Sequence, residues 1–276
     1  MKKGSKSTQK NSASLGPIGV FDSGVGGLSI LLELQKLLPK ESFIFLGDQA
    51  YFPYGAKSQK ELINRSLAIA RHMVQKHQIK MLVVACNTAT CSAVSALREK
   101  FTLPIIGTIP AVKPASKETK TGKIAVISTP YTSRSRALKD LIQEECSGVS
   151  VSNISCKGLE RVVEEGSGDG PEARTLITKY MEGLKSSGVD SLVLGCTHYP
   201  FLNKQIEQVL GSGVKLFDSG KAIARQAKRV LRERKMANTA KRASGTLYFT
   251  TGKSAQFQKV AGKLLKKKVS AKQVAI

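Results

Sequence analysis

Two apolar runs of the sequence each end on a cysteine. The first reads M-L-V-V-A-C-N-T-A from Met81 to Ala89, and the second reads L-V-L-G-C-T-H-Y-P from residue 192 to residue 200. A thiol, with an ordinary pKa of about 8.5, can act as a base or an acid after modest tuning. Two thiols on opposite sides of one carbon can therefore remove a proton from one face and return one to the other. Such a two-base transfer inverts a stereocentre.

Polar residues stand near both cysteines. His198 lies two residues after Cys196, and Asp22 ends the apolar run at 18–21, which we expect to share a sheet edge with Cys86. Histidine and carboxylate side chains are common neighbours that shift the pKa of a thiol. We interpret Asp22 and His198 as the partners that tune Cys86 and Cys196.

Two other interpretations of these residues stay open. Cys86, Cys196 and His198 resemble a Cys2His set that can hold a catalytic zinc ion, although no C-x-x-C pair accompanies them. Cysteines at strand ends are also often small buried residues without chemistry. We assign that structural role to the cysteines outside the repeated context, Cys91, Cys146 and Cys156.

The elements that must position the cysteines alternate between two periodicities. Strand-like apolar runs occur at residues 18–21, 43–46, 81–85, 124–127, 191–194, 214–217 and 247–249. Helical periodicity covers residues 27–38, 58–77, 88–100, 132–145, 172–186, 201–210, 219–235 and 254–265. Continuous apolar strands separated by amphipathic helices are typical of parallel sheets covered on both faces. The sequence therefore predicts an α/β fold.

A faint internal repeat relates the two cysteine motifs. G-P-I-G-V-F-D-S at 16–23 resembles G-K-I-A-V-I-S-T at 122–129, and Cys86 and Cys196 have a similar offset. This pattern indicates a duplicated βαβ unit with one cysteine in each copy. Ligands of parallel sheets bind outside the carboxyl ends of the strands. We expect two pseudo-symmetric parallel-sheet domains with the active site in the cleft between them.

Composition sets the broad class of the protein. With 276 residues, of which 41% are hydrophobic and 23% charged, the chain has the composition of a globular protein. No apolar run approaches the ~20 residues that span a bilayer, and the first 17 residues lack the apolar stretch of a secretory signal. The odd number of cysteines argues against a disulfide framework. We expect a cytoplasmic protein with no membrane contact and with a disordered basic tail at 1–17.

The net charge of +24 is concentrated at the ends of the chain. Residues 1–17 carry four lysines and no acid, and residues 221–276 carry sixteen Lys or Arg against Glu233. Such basic segments can bind nucleic acid, or they can simply be solvated surface. A nucleic-acid-binding protein is therefore an alternative of a different functional class.

Four motifs in a fixed order resemble one family. I-G-V-F-D-S-G-V-G-G-L, G-D-Q-A-Y-F-P-Y-G, V-V-A-C-N-T-A-T and L-G-C-T-H-Y-P are similar to the motifs of the glutamate racemases, in the aspartate/glutamate racemase superfamily. The similarity runs from about residue 18 to just beyond the F-T-T-G segment. It implies a cofactor-independent enzyme that interconverts L- and D-glutamate for peptidoglycan synthesis.

The resemblance also implies roles for individual residues. Cys86 is implied to act on the proton of D-glutamate with help from Asp22, and Cys196 on that of L-glutamate with help from His198. Glu164 matches a glutamate placed near that histidine. The positions that match the substrate-binding residues of the family are Asp22, Ser23, Pro53, Tyr54, Gly55, Asn87, Thr88, Thr132, Thr197 and His198.

The chain departs from the family at two places. Ser128 stands where the family usually has a glycine, ahead of Thr132, and the segment before Glu164 lacks two prolines. The resemblance further implies a first domain at 18–109 together with 219–276 and a second at 110–218. We also expect a homodimer and no metal.

The sequence offers no sign of a bound cofactor. The lysines are mostly terminal and lack the context of a pyridoxal phosphate site. The segment D-S-G-V-G-G fails the G-x-G-x-x-G pattern, because Ser29 replaces the third glycine, and so it does not predict a nucleotide site. We expect oriented backbone N–H groups, hydroxyls and a dry cleft to stabilise the carbanion. A racemase of the same fold acting on another amino acid, such as aspartate, is a further alternative.

Overall fold

The protein is built on two parallel β-sheets. The structure, a computed structural model, describes residues 16–239 and 245–276. The strands of the first sheet are β1 (Ile18–Asp22), β2 (Phe43–Gly47), β3 (Met81–Val84), β4 (Ile105–Gly107), β9 (Thr246–Thr250) and β10 (Ala271–Gln273). Those of the second sheet are β5 (Lys123–Ser128), β6 (Ser150–Ser155), β7 (Ser191–Leu194) and β8 (Lys215–Phe217). The predicted α/β class is confirmed.

The strand order repeats from one sheet to the other. The first sheet has the order β10-β9-β2-β1-β3-β4, and the second has the order β6-β5-β7-β8, with every recorded pairing parallel. The order 2-1-3-4 of the first sheet therefore recurs as 6-5-7-8 in the second. The repeat seen in the sequence corresponds to this topology, because β1 and β5 are equivalent central strands and β3 and β7 are equivalent neighbours.

Helices cover both faces of the sheets, as parallel sheets require. They are α1 (Leu28–Leu37), α2 (Gln59–His77), α3 (Asn87–Lys100), α4 (Val112–Glu118), α5 (Pro130–Arg134), α6 (Arg136–Glu145), α7 (Leu159–Glu164), α8 (Pro171–Met181), α9 (Asn203–Leu210), α10 (Gly220–Glu233) and α11 (Ser254–Leu265). No helix in these described ranges is long and apolar enough to cross a membrane.

Successive side chains along each strand point to opposite faces, so the first sheet has a separate hydrophobic cluster on each face. On β1, Val20 packs in one cluster with α1, α10 and α11, whereas Phe21 packs in another with α2 and α3. The first cluster continues into the second sheet through Ala125 and Ile127. The two sheets therefore share one hydrophobic core.

Local signals set the bounds of individual helices. Ser58 caps α2 in a capping box with Glu61, and Gln78 ends that helix in the left-handed conformation. The Thr129 hydroxyl accepts from the Thr132 N–H at the start of α5, which opens on Pro130.

Three strands were not predicted. β6 reads S-V-S-N-I-S and has only exposed and half-buried residues at the edge of its sheet, so no continuous apolar run marks it. β4 and β10 have three residues each. Helices α4 and α7 were also missed, because seven residues or fewer are too short to show a helical period, and the predicted helix at 132–145 is divided at Ser135 into α5 and α6.

The domain boundaries at 18–109 with 219–276 and at 110–218 remain a prediction. The strands of the first sheet come from residues 18–107 and 246–273, and those of the second from 123–217. Nearly all of the predicted basic tail lies outside the described residues, which begin at Gly16.

Candidate active site

One small cavity lies where the loops after β1, β2, β3, β5 and β7 meet. Its lining residues are Ser23, Phe52, Pro53, Tyr54, Gly55, Cys86, Asn87, Thr88, Thr129, Glu160, Cys196, Thr197 and His198. Cys86 follows β3 and Cys196 follows β7, the equivalent strand of the other sheet. The two thiols therefore face a single space, each delivered from its own sheet.

Cys86 sits at the N-cap of α3, where backbone N–H groups point toward its side chain. The Ala89 N–H donates to the Cys86 sulfur at 3.5 Å, and the thiol donates to the Ser23 hydroxyl oxygen at 3.7 Å. A helix N-terminus favours a negative charge. Burial, followed by the nearby Asp22, nevertheless raises the pKa of Cys86 well above the usual value. This shift disfavours the thiolate form of Cys86.

Cys196 is linked to two further side chains of the second sheet. Its sulfur lies 3.7 Å from Nδ1 of His198, and Nε2 of the same ring lies 2.8 Å from Oε2 of Glu164. All three residues are buried. The arrangement forms a relay in which a carboxylate orients an imidazole beside a thiol.

The electrostatics of this relay favour a protonated imidazole. Burial alone lowers the pKa of His198, but its hydrogen bonds with Cys196 and Glu164 outweigh burial and raise the pKa well above the ordinary value. Burial raises the pKa of Cys196, opposed by the hydrogen bond with His198. These hydrogen bonds favour the protonated form of His198 beside the Cys196 sulfur, which suits proton exchange between the two groups.

Asp22 lies one layer behind the cavity wall. Its Oδ1 accepts from the Gly24 N–H at 2.9 Å, and its Oδ2 accepts from the Thr197 hydroxyl at 3.0 Å. Burial raises the pKa of Asp22, although the nearby His198 opposes this shift. Asp22 thus connects the loop after β1 with the loop after β7.

The glycines of D-S-G-V-G-G allow side chains of the second sheet to approach. A Cβ on Gly24 would lie 2.1 Å from Oε2 of Glu164, and one on Gly26 would lie 2.3 Å from Nδ1 of His198. The close neighbours of Gly24 and Gly26 are therefore the carboxylate and the imidazole of the relay.

The loop after β2 forms another wall. Tyr54 is buried and donates its hydroxyl to Oδ2 of Asp48 at 2.5 Å. Arg65 on α2 donates to both oxygens of the same carboxylate, at 2.8 Å and 2.6 Å. Such a bidentate pair has a rigid geometry. It anchors Tyr54, and with it Pro53 and Gly55, against the cavity.

A cluster of hydroxyls completes the wall beside Cys86. Thr88 is hydrogen-bonded to Thr129 at 2.9 Å and to Thr132 at 3.2 Å. Thr88 and Thr129 line the cavity, whereas Thr132 stands behind them. The Asn87 amide donates to the Thr108 carbonyl at 3.3 Å, which fixes its direction.

Among the predicted site residues, Asp22, Glu164 and Thr132 do not line the cavity but contact residues that do. Sequence analysis missed three wall residues, Phe52, Thr129 and Glu160. Phe52 precedes Pro53 in a quoted motif, and the T-P pair at Thr129 is a helix-start signal. Both residues could therefore have been identified from the sequence. Glu160 follows G-L in an unpredicted helix and had none.

No group of three or more His, Cys, Asp or Glu side chains suited to a metal ion occurs within residues 16–239 and 245–276. The cavity offers instead two thiols, an imidazole supported by a carboxylate, and several hydroxyl and amide groups. Two thiols on one cavity, each from its own sheet, are suited to acid–base chemistry.

Comparison with known proteins identifies the family. Residues 20–227 match the family described as Asp/Glu/hydantoin racemase. The chain belongs to this family.

Curated relatives and solved structures agree with the match. The chain is 43% identical over 244 residues to a glutamate racemase of Deinococcus radiodurans, covering 88% of this chain and 84% of that protein. It is 41% identical over 253 residues to that of Ectopseudomonas mendocina, covering 91% and 95%. A glutamate racemase isoform from Bacillus anthracis superposes with a TM-score of 0.86 at 33% identity, covering 95% of this chain and 98% of that one. The Escherichia coli enzyme in complex with L-glutamate and the activator UDP-MurNAc-Ala has a TM-score of 0.82 at 31% identity, covering 94% and 98%.

Proposed function

We propose that the protein interconverts L- and D-glutamate. The observation that carries this function is the convergence of Cys86 and Cys196 on one cavity from equivalent strands of two sheets. The relatives that bear the name glutamate racemase match nearly the whole chain. The role implied by the family is to supply D-glutamate for peptidoglycan synthesis.

The reaction consists of two proton transfers at the α-carbon. Starting from L-glutamate, the Cys196 thiolate takes the α-proton and leaves the electron pair on the carbon. The Cys86 thiol then delivers its own proton to the opposite face, which gives D-glutamate, a Cys86 thiolate and a Cys196 thiol. The reverse direction begins at Cys86. No cofactor takes part in these steps. Conversion of one enantiomer leaves the two thiols in the protonation state that reacts with the other enantiomer.

Neighbouring groups adjust the protonation of each thiol. We propose that His198, held by Glu164 at 2.8 Å, takes up or returns the proton of Cys196. Asp22 is proposed to assist Cys86, a role supported by its influence on the pKa of that thiol. The N-terminus of α3 stabilises negative charge beside Cys86.

The remaining wall residues are proposed to hold the amino and carboxylate groups of the substrate. They are Ser23, Pro53, Tyr54, Gly55, Asn87, Thr88 and Thr197. Thr132 is proposed to act through Thr88, to which it is hydrogen-bonded.

Exchange of the α-hydrogen tests this function. Purified protein in deuterium oxide is expected to label the α-carbon of either enantiomer and to bring each to an equal mixture, followed by circular dichroism. Cys86→Ala and Cys196→Ala should each abolish racemisation. Cys91→Ala, a half-buried thiol outside the cavity wall, is the matched control and should remain active. Full racemisation by either cavity variant would contradict the two-thiol mechanism. A panel that includes aspartate tests the alternative substrate.

A second candidate function is favoured by a stripe of cations on α10. Lys221, Arg225, Lys228 and Arg232 recur at helical spacing, and all four are exposed. The stripe is about 16 Å long at 1.5 Å per residue. Exposed Lys266, Lys267 and Lys268 add charge after α11. We propose that these basic segments bind nucleic acid through its phosphates.

Salt dependence tests the second candidate. Binding of a labelled DNA duplex, measured by anisotropy, should weaken steeply with salt. Replacing the four α10 cations by glutamine should weaken binding and reduce the salt slope while leaving racemisation unchanged. Binding that is insensitive to those replacements excludes α10 as the contact.

We further propose the two-domain division at 18–109 with 219–276 and at 110–218, a homodimer and a cytoplasmic location. The cytoplasmic location is supported by the five cysteines, all of which are free thiols. Light scattering of the purified protein measures the oligomer.

A further inference from the structure

Gln49 links the first sheet to the relay of the second. It is the first residue of a 3-10 turn (Gln49–Tyr51) that follows β2. Its amide Nε2 donates to Oε1 of Glu164, and its amide oxygen accepts from the Thr250 hydroxyl at 2.7 Å. Glu164 ends α7, which follows β6 of the second sheet, whereas Thr250 ends β9 of the first sheet. The amide therefore spans the junction between them.

The direction of these hydrogen bonds is determined by the donors. The Gly252 N–H donates to the Thr250 oxygen at 3.0 Å, while the Thr250 hydroxyl hydrogen is free to point at Gln49. The amide oxygen of Gln49 takes that hydrogen, so its N–H group faces Glu164. The flipped amide would place its oxygen against the Glu164 carboxylate, which is repulsive.

Glu164 is the final acceptor in the series of hydrogen bonds that runs from Thr250 through Gln49. Oε2 accepts from the Val25 N–H at 2.8 Å and Oε1 accepts from Gln49, while Nε2 of His198 lies 2.8 Å from Oε2. Because Val25 and Gln49 both donate, Glu164 acts as an acceptor at both oxygens. His198 must then carry its hydrogen on Nε2, which leaves Nδ1 to exchange a proton with Cys196.

We propose that Gln49 is a positioning residue for the Cys196 half of the reaction. From the opposite sheet, it holds Glu164 as an oriented acceptor and thereby sets the ring and tautomer of His198. This inference rests on the proposed racemase function. Without the amide, Oε1 of a carboxylate that is only 8% exposed loses its donor. A buried acceptor oxygen without a partner is costly in free energy, so the carboxylate turns toward another donor, and this movement releases His198.

Three variants test the role. Gln49→Leu removes the amide, and Thr250→Val removes the hydroxyl that orients it. The matched control is Gln35→Leu, because Gln35 donates to Thr246 at 2.8 Å in the same kind of pair, at the other end of β9 and away from the cavity. We expect kcat/KM to fall about tenfold in Gln49→Leu, as for a lost hydrogen bond to a charged group. Thr250→Val should show a smaller fall, and Gln35→Leu should match wild type.

A double variant separates positioning from a general loss of stability. If Thr250 acts through Gln49, adding Thr250→Val to Gln49→Leu should cause no further fall in kcat/KM. Independent, multiplicative losses would overturn the proposed chain. Thermal unfolding shows whether each variant folds. If Gln49→Leu does not fold, the fall in kcat/KM of Thr250→Val alone tests the proposal.

The state of His198 can also be observed without any activity assay. The chain has three histidines, so nitrogen-15 spectra of the imidazoles are readily assigned by His198→Gln. Wild type should show His198 with its hydrogen on Nε2 under conditions where Nδ1 is unprotonated, and Gln49→Leu should show a mixture of tautomers. An unchanged His198 signal in Gln49→Leu overturns the inference even if the enzyme is an active racemase. An inactive wild type with the expected His198 signals would instead refute the function.

Discussion

Adding a single methyl group at Gly26 should push His198 and Thr197 away from the loop after β1. In Gly26→Ala, the new Cβ would lie 2.3 Å from Nδ1 and 2.6 Å from Cε1 of His198, and 2.6 Å from the hydroxyl oxygen of Thr197. Gly26 does not have a positive φ, so the backbone itself accepts alanine. The effect of the substitution comes entirely from these contacts.

The required displacement follows from the distances. Ordinary van der Waals contact begins at 3.4 Å, so the imidazole must retreat by about 1.1 Å from its place 2.3 Å away. A misplacement of about 1 Å typically costs about 10²-fold in rate. We expect kcat/KM for glutamate to fall by that factor. Overpacking should cost about 1–3 kcal/mol of stability, so the variant should still fold.

Racemisation followed by circular dichroism, with α-deuterium exchange as a second readout, measures the effect. The matched control is Gly183→Ala, since a Cβ at Gly183 has nothing within 4 Å. The control should keep wild-type activity and stability. If Gly26→Ala racemises glutamate within about threefold of wild type, the close packing of His198 against this loop is not needed for the reaction and the reasoning fails.

Two further predictions concern stability. Lys80 and Glu41 form an ion pair of 2.6 Å with side chains 3% and 4% exposed, so Lys80→Met should lower the free energy of unfolding by about 3–5 kcal/mol in urea titrations; a loss below about 1 kcal/mol would contradict it. Burial lowers the pKa of both His72 and His77, so below about pH 6.5 the unfolded chain binds protons first and stability should fall as pH falls. Changing both histidines to glutamine should flatten this dependence, and an unchanged slope would refute the assignment.

Continuous apolar runs carried most of the fold prediction. All seven predicted strands and all eight predicted helices have counterparts in the structure. The strands were readable because parallel strands that are buried on both faces consist of continuous apolar residues. The missed elements lack that signal. β10 has exposed Lys272 and Gln273 at the sheet edge, and its place beside β9 depends on pairing with a distant segment.

The residues of the candidate site likewise fall into those that a local sequence feature indicated and those that none did. Cys86 and Cys196 stood out because each ends an apolar run, a local feature. Gln49 lies in one of the quoted motifs, but no local feature indicated its role, because that role comes from contacts with residues 115 and 201 positions away. Glu160 reaches the cavity wall from a six-residue helix that no periodicity marked.

The sequence by itself determined the α/β class, the duplicated unit and the pairing of two cysteines with equivalent strand ends. These depend on periodicity and repetition, which are properties of neighbouring residues. Only the tertiary structure decided that the glycines after β1 lie close to Glu164 and His198, and that the Gln49 amide in the loop after β2 donates to the Glu164 carboxylate at the end of α7. Those contacts join segments far apart in the chain, and their distances arise from how the two sheets pack through a shared core.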